Sequence, residues 1–389
     1  MGKKRKTSVL YISPFSPKAF GAEEQDLEAG LKQLRSETSF EVFSLKVNLF
    51  TQELIINFDY NLIKYPKNYL NSIRYALRYF GSPDNTLRQA YTFENFLTIQ
   101  RIVKELDIDV IFTNTTSTLL FGKISGVKHV HRSVGFEPIY VLKSVDNKLK
   151  STFHSAVKIF TVLSEMKSNL LFAISPRDAQ YYNRFGRILR KQTQIEVLPL
   201  RQFSLRTNHS MRNQLPETLN IAFLGSTYNV LHNRRSLEYL LEVFNEEFLL
   251  QNQSVFNVYG RKIPQITLRN ISNSRVRVNN WIEDLQSIYD GNQIFVVPNF
   301  LSSGMQSKVF EPLTFGKILI CSPEVLSGYN FTPKKHYLPA TKTAEFRECL
   351  EWINNNRNES IKIGLEASMQ SQKIFGKQFK ESIIGNILK

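Results

Sequence analysis

The chain has 389 residues, of which 42% are hydrophobic and 22% charged, which is too long for one ordinary core and too apolar for a disordered polymer. Lys and Arg number 50 against 34 Asp and Glu, and the resulting +16 favours anionic partners: phosphate-bearing substrates, an acidic lipid surface or nucleic acid. The two cysteines, Cys321 and Cys349, stand in no metal-ligand spacing, and no apolar run approaches the roughly 18 residues of a membrane span, which excludes disulfide scaffolds, zinc modules and transmembrane bundles and reads as a cytoplasmic chain.

The basic start, Met1 to Lys6, precedes an apolar run from Val9 to Ile12 that is too short for a signal peptide and predicts a first strand over Ser8–Ser13. The run breaks at Pro14, Pro17 and Gly21, and a helix is expected from Glu23 to Leu34, then a strand from Glu41 to Leu45. Residues 48–85 are rich in aromatic and basic side chains and read as an inserted set of helices and loops. A helix over Thr92–Glu105 leads to a strand at Asp109–Asn114. Later strands of the same sheet are expected at Lys128–His131, at Lys158–Val162 or Leu170–Ile174, and at Ile195–Leu200. A polar stretch through Asn208, Asn213 and Pro216 is the expected linker.

The rhythm then restarts with Leu219–Gly225, a helix from about Arg235 to Phe248, and strands at Val255–Gly260, Val276–Asn279, Ile294–Pro298 and Ile318–Cys321. Strands alternating with helices predict parallel sheets with helices on both faces. Two such units, residues 1–205 and 217–371, make an α/β chain of two Rossmann-like domains facing each other across a cleft, with a helix over about 372–389 packing back on the first.

In open α/β sheets ligands bind outside the carboxyl ends of the strands, where turns lead into helix N-termini. The second unit has such turns at Gly225-Ser226, at Gly260-Arg261 and at Ser303-Gly304-Met305, the last opening a helix with Lys308, Glu311 and Gly316. Backbone N–H groups at Ser303 and Gly304 suit a diphosphate, Arg261 and Lys308 supply positive charge, and Glu311 suits two ribose hydroxyls. Taken singly, each residue also reads blandly: Gly225 as a strand end, Arg261 as a solvated cation, Glu311 as a carboxylate near a helix start.

Their order on successive strand ends resembles the donor-site signature of the GT-B glycosyltransferases, in particular the large retaining family 4. The resemblance rests on Gly304, Lys308, Glu311 and Gly316, on the turn from Phe223 to Asn233, and on Trp281–Tyr289. It implies a retaining hexosyltransferase that uses a nucleotide-diphosphate sugar as co-substrate without a bound metal. Its donor site would comprise Gly21, Gly225, Ser226, Arg234, Ser303, Gly304, Met305 and Glu311. His131, in His129-Val-His-Arg-Ser133, is similar to the family's active-site histidine, so the expected catalytic set is His131, Glu311, Lys308 and Arg261. The His129/His131 pair lacks a third metal ligand. Ser303 stands where many relatives carry a first glutamate, which leaves the contact to the transferred sugar open.

The implied acceptor is a glycan or lipid-linked hydroxyl in cell-surface polysaccharide synthesis. Lys3 to Lys6 and the basic aromatic stretch Lys64 to Arg78 offer a means of peripheral attachment to the inner face of a membrane, and the stretch reads alternatively, and with more weight, as an amphipathic helix packed on its own domain. The alternatives are a non-catalytic partner of the same fold, a GT-B sugar-nucleotide epimerase, and a nucleic-acid-base glucosyltransferase. The last is set aside because no nucleic-acid recognition motif is present.

Overall fold

The computed structural model describes residues 5–15, 22–59, 91–144, 148–191, 193–201, 214–264, 274–279, 285–298 and 305–376. Gly21, Ser303, Gly304, the basic stretch 64–78, most of the linker and residues 377–389 lie outside them, as does the side chain of Ser226.

The first domain comprises β1 (Thr7–Phe15), α1 (Ala22–Arg35), β2 (Phe40–Asn48), β3 (Leu54–Ile56), α2 (Phe93–Glu105) and β4 (Val110–Asn114). A 3-10 helix (Thr116–Gly122) follows, then β5 (Lys128–Arg132), α3 (Glu137–Ser144), α4 (Lys148–Glu165), β6 (Leu170–Ala173), α5 (Pro176–Ile188) and β7 (Gln194–Val197). The strands form one sheet in the order β3-β2-β1-β4-β5-β6-β7, parallel except for β3 against β2. Alternate residues of β1 serve opposite faces: Val9 and Tyr11 pack with Val110, Phe112 and Phe172, while Leu10 and Ile12 pack with Ile99, Ile102 and Ile111. Burial on both faces explains why these strands read as continuous apolar runs.

The second domain comprises β8 (Leu219–Thr227), α6 (Leu231–Val243), α7 (Glu246–Gln251), β9 (Ser254–Arg261), β10 (Val276–Asn279), α8 (Leu285–Gly291) and β11 (Ile294–Val297). After these come α9 (Ser307–Thr314), β12 (Ile318–Cys321), β13 (Leu338–Pro339), α10 (Thr343–Asn355) and α11 (Arg357–Ser371). Its sheet is all parallel in the order β10-β9-β8-β11-β12-β13. In both sheets the strand order reverses beside the first strand, at β1/β4 and at β8/β11, the position where such folds open a crevice at the carboxyl edge.

Two expectations need correction. Lys158–Val162 is helical, inside α4, and the strand is Leu170–Ala173. The helix expected from Arg235 to Phe248 is two helices that begin earlier, broken at Phe244–Asn245, where the Asn245 side chain accepts from Phe248 N and caps α7. The start of the 372–389 segment is a π-turn whose Ile374 and Phe375 pack with Val309, Phe310 and Phe331, and the rest of the segment lies outside the described residues.

That same apolar cluster takes in Ile174 and Leu200 from the first domain. Leu200 N donates to Met305 Sδ (3.3 Å) and Tyr329 Oη donates to Ile174 O (3.2 Å), so the carboxyl edges of the two sheets meet along a seam. Among the described residues, no helix is long and apolar enough to cross a membrane.

Candidate donor and acceptor site

On the second domain, β8 delivers Gly225 to the carboxyl edge. A Cβ there would run into the Tyr228 ring, so only glycine lets the turn close. Asn233, in the first turn of α6, donates through Nδ2 to Gly225 O and to Thr227 O (3.0 Å), holding the turn's carbonyls. Its Oδ1 accepts from Lys308 Nζ at 2.8 Å, and the same ammonium lies 5.2 Å from the Phe223 ring centre. The side chain of Lys308, on α9, thus crosses to the end of β8. Burial pushes its pKa down to about 7. Neighbouring His232 is pushed down to about 4, first by burial and then by Lys308.

Glu311 follows Lys308 by three residues, and the structure buries it to 4% exposure. Tyr289 Oη donates to Glu311 Oε2 at 2.8 Å, and the Tyr289 ring stacks on Phe315 at 4.0 Å. One carboxylate oxygen is therefore held by Tyr289 of α8. Gly316 ends α9 in the left-handed region at φ 66°, the conformation a helix stop of this kind requires.

The remaining cations are spread out. Arg261 is exposed at the end of β9, and Arg234 is half-exposed beside Glu238 at 4.0 Å. Met305 sits in the seam against Leu200, a packing position, and Cys321 and Cys349 are free thiols.

On the first domain, the His129-Val-His131 alternation places both rings on one face of β5, against Thr113 of β4. Thr113 Oγ1 lies 2.8 Å from His129 Nε2 and 2.9 Å from His131 Nδ1. His131 Nε2 is 3.4 Å from Glu165 Oε1, whose other oxygen accepts from Tyr182 Oη at 2.6 Å. Ser133 Oγ meets the same Tyr182 hydroxyl at 2.7 Å. His131 has no exposed surface, and burial, then Arg132, lowers its pKa to about 3. It is a neutral ring held in a polar chain beneath α4.

Sequence reasoning missed a second buried group at this edge. Asp26 of α1 takes Arg132 Nη1 and Arg201 Nη2 on one oxygen, each at 2.9 Å. Arg201 Nη2 also donates to Asn114 Oδ1 (3.2 Å), and Asn114 Nδ2 donates to Ile12 O (3.1 Å). Burial alone would raise the Asp26 pKa, but the two guanidiniums outweigh it and hold the carboxyl below its usual range. Thr115, the next residue after β4, adopts φ 65° with its side chain buried, a strained conformation for a β-branched residue. Among the described residues no cluster of three or more His, Cys, Asp or Glu could hold a metal ion.

The family profile described as Glycosyl transferases group 1 matches residues 218–348, the segment that contains Gly225, Asn233, Lys308 and Glu311. No curated protein sequence matches the chain. Among solved structures, a sucrose-phosphate synthase from Thermosynechococcus elongatus superposes with a TM-score of 0.65 at 12% identity, covering 98% of each chain. HepE from Anabaena, in complex with UDP-glucose, gives 0.62 at 10% identity over 97% of this chain and 99% of that one. A UDP-N-acetylglucosamine 2-epimerase gives 0.52 at 12% identity over 99% and 98%. At such identities the superpositions speak for the fold, and the profile speaks for the second domain. The chain thus has the two-domain GT-B fold, and its residues 218–348 match the family profile described as Glycosyl transferases group 1.

Proposed function

We propose that the protein transfers a glycosyl group, with retention, from a nucleotide-diphosphate sugar to a hydroxyl of a glycan or lipid-linked acceptor. The observation that carries this reading is the Lys308–Asn233 contact. It sets a part-buried cation at the carboxyl end of β8, inside the segment that matches the family profile.

The chemistry follows from that placement. Negative charge grows on the diphosphate as the glycosidic bond breaks, and a fixed cation in a poorly solvated site stabilises it more than water does. Lys308 is costly to keep charged in the free protein, so an arriving dianion restores its proton and gains affinity. No metal is required for this charge balance. Glu311, held by Tyr289, orders the wall on which the nucleoside would rest. The acceptor hydroxyl approaches from the carboxyl edge of the first sheet, near Asn114, Thr115 and Ser133. Closure of the two domains then excludes the water that would hydrolyse the donor. The surplus of positive charge suits an acceptor carried at an anionic membrane surface.

The test is calorimetric titration of the purified protein with UDP, GDP, ADP and CMP, alongside Lys308→Met. One nucleoside diphosphate is expected to bind, with affinity reduced about 10- to 100-fold in the variant. Binding of none, or equal binding by the variant, would remove the donor site from this position.

A further inference from the structure

Helix α4 is amphipathic in the wrong sense for a helix on a water-facing surface. Its inner face is built from small polar residues: Ser151, Ser155 and Thr161 are buried, and Ser155 Oγ donates to Pro138 O at 3.0 Å, which lets α3 and α4 pack closely. Its outer face is large and apolar. Leu149 is 84% exposed and Phe153 67%, and Phe160 on the same stripe and Ile159 beside it are exposed as well. Leu149, Phe153, Ala156 and Phe160 follow the i, i+4, i+7, i+11 spacing of a single helix face. Tyr140 and Leu142 of α3 add exposed apolar surface next to it. Six large apolar side chains in one helical hairpin exceed the scattered exposure normal for a soluble surface.

The charge along α4 before its last residue has one sign. From Lys148 to Ser164 the helix contains Lys148, Lys150, Lys158 and His154 and no acidic residue. Lys148 and Lys150 are exposed in the first turn, flanking Leu149, while Lys158 is bound to Glu137 at 2.5 Å. Apolar side chains flanked by lysines complement an anionic lipid surface, where the chains enter the acyl boundary and the ammonium groups stay among the headgroups.

The direction of the helix fits that partner. β6 starts at the amino edge of the sheet and α4 leads into it, so the first turn of α4 lies toward the carboxyl edge. Leu149 and Phe153 therefore sit on the side where the first domain would receive an acceptor.

We infer that the outer face of the α3–α4 hairpin docks on an anionic lipid surface, with Leu149, Phe153 and Phe160 inserted and Lys148 and Lys150 at the headgroups. The inference rests on the reading of a membrane-borne acceptor and assigns it a surface of this chain. The basic stretch 64–78 expected from sequence lies outside the described residues.

Sedimentation of the full chain with phosphatidylcholine vesicles, with and without phosphatidylglycerol, tests it. The wild type is expected to bind the anionic vesicles. Leu149→Ser with Phe153→Ser should weaken the partition at least about tenfold on them. Lys148→Glu with Lys150→Glu should weaken it about tenfold or more on anionic vesicles only. All four positions are exposed, so the variants fold, and unchanged nucleotide binding confirms it. Wild type that ignores anionic vesicles, or serine variants that bind them unchanged, would overturn the inference. A wild-type dimer in ultracentrifugation that the serine variant dissociates, with vesicle binding intact, would overturn it in favour of a second copy as occupant. Because vesicle binding needs neither nucleotide nor acceptor, failure of the transfer reading shows separately, as absence of nucleotide binding.

Discussion

Lys308 Nζ stands 2.8 Å from Asn233 Oδ1, although 75 residues separate them, and this contact ties α9 to the turn after β8. Asn233 serves both sides, donating to the Gly225 and Thr227 carbonyls while accepting from the ammonium. Asn233→Ala leaves two turn carbonyls and a half-buried cation without this partner. We expect a stability loss of about 1–3 kcal/mol in urea denaturation, together with weaker nucleotide binding. Asn233→Asp should instead raise the Lys308 pKa and repel the diphosphate, so a gain in nucleotide affinity in that variant would refute the arrangement.

The lowered Lys308 pKa predicts proton uptake on ligand binding. In the free protein the group titrates at about 7, and a bound anion must raise that value. Affinity is therefore highest below pH 7 and falls as pH rises through it, with up to one proton taken up near pH 8. Calorimetry in buffers of different ionisation enthalpy reads this directly. No buffer dependence at pH 8 would show that Lys308 stays charged in the free protein.

Tyr289→Phe isolates the Glu311 contact. The hydroxyl donates to a buried carboxylate, and its removal is expected to cost about 1.5–3 kcal/mol. If the carboxylate is then freed to turn toward the crevice, nucleoside affinity changes as well. A variant as stable as wild type would mean that Glu311 does not depend on Tyr289 for its position.

His129 and His131 predict an acid-sensitive first domain. Both are held near a pKa of about 3, chiefly by burial, against about 6.5 in an unfolded chain. The unfolded state binds more protons in between, so stability is fully present above pH 6.5 and falls as pH drops toward 3. Between pH 7.5 and pH 5 the loss should be about 2 kcal/mol per ring. Imidazole resonances of these two residues that titrate near pH 6.5 would contradict it.

Asp26→Asn should be the most damaging single change in the first domain. It leaves the guanidiniums of Arg132 and Arg201 in the interior without their shared counter-charge, which costs about 3–5 kcal/mol. Thermal denaturation checks it, and a shift of only a degree or two would mean that water or another group compensates.

The sheets were legible because buried parallel strands write themselves as apolar runs. Lys158–Val162 misled because Ile159 and Phe160 are apolar on the outer face, which hides the 3.6-residue period of α4 behind a strand-like run. The start of α6 was missed because His232 and Asn233 are weak helix formers and Val230 offers no side-chain cap. The partners that define the site were not readable at all. Asp26 meets Arg201 across 175 residues and Lys308 meets Asn233 across 75, and single residues of ordinary type carry no mark of such pairings. The motif located Glu311 yet could not show that a tyrosine 22 residues earlier would cover it.

Arg201 lies where the chain leaves the first domain, and its backbone N–H and side chain are both bound by Asp26. The exit is therefore welded to α1 instead of merely resting on it. A displacement of the second domain relative to the first is expected to load the Asp26–Arg201 contacts and, through them, α1. Because the N-terminus of α1 lies at the carboxyl edge of β1, whatever occupies that edge also feels the angle between the domains.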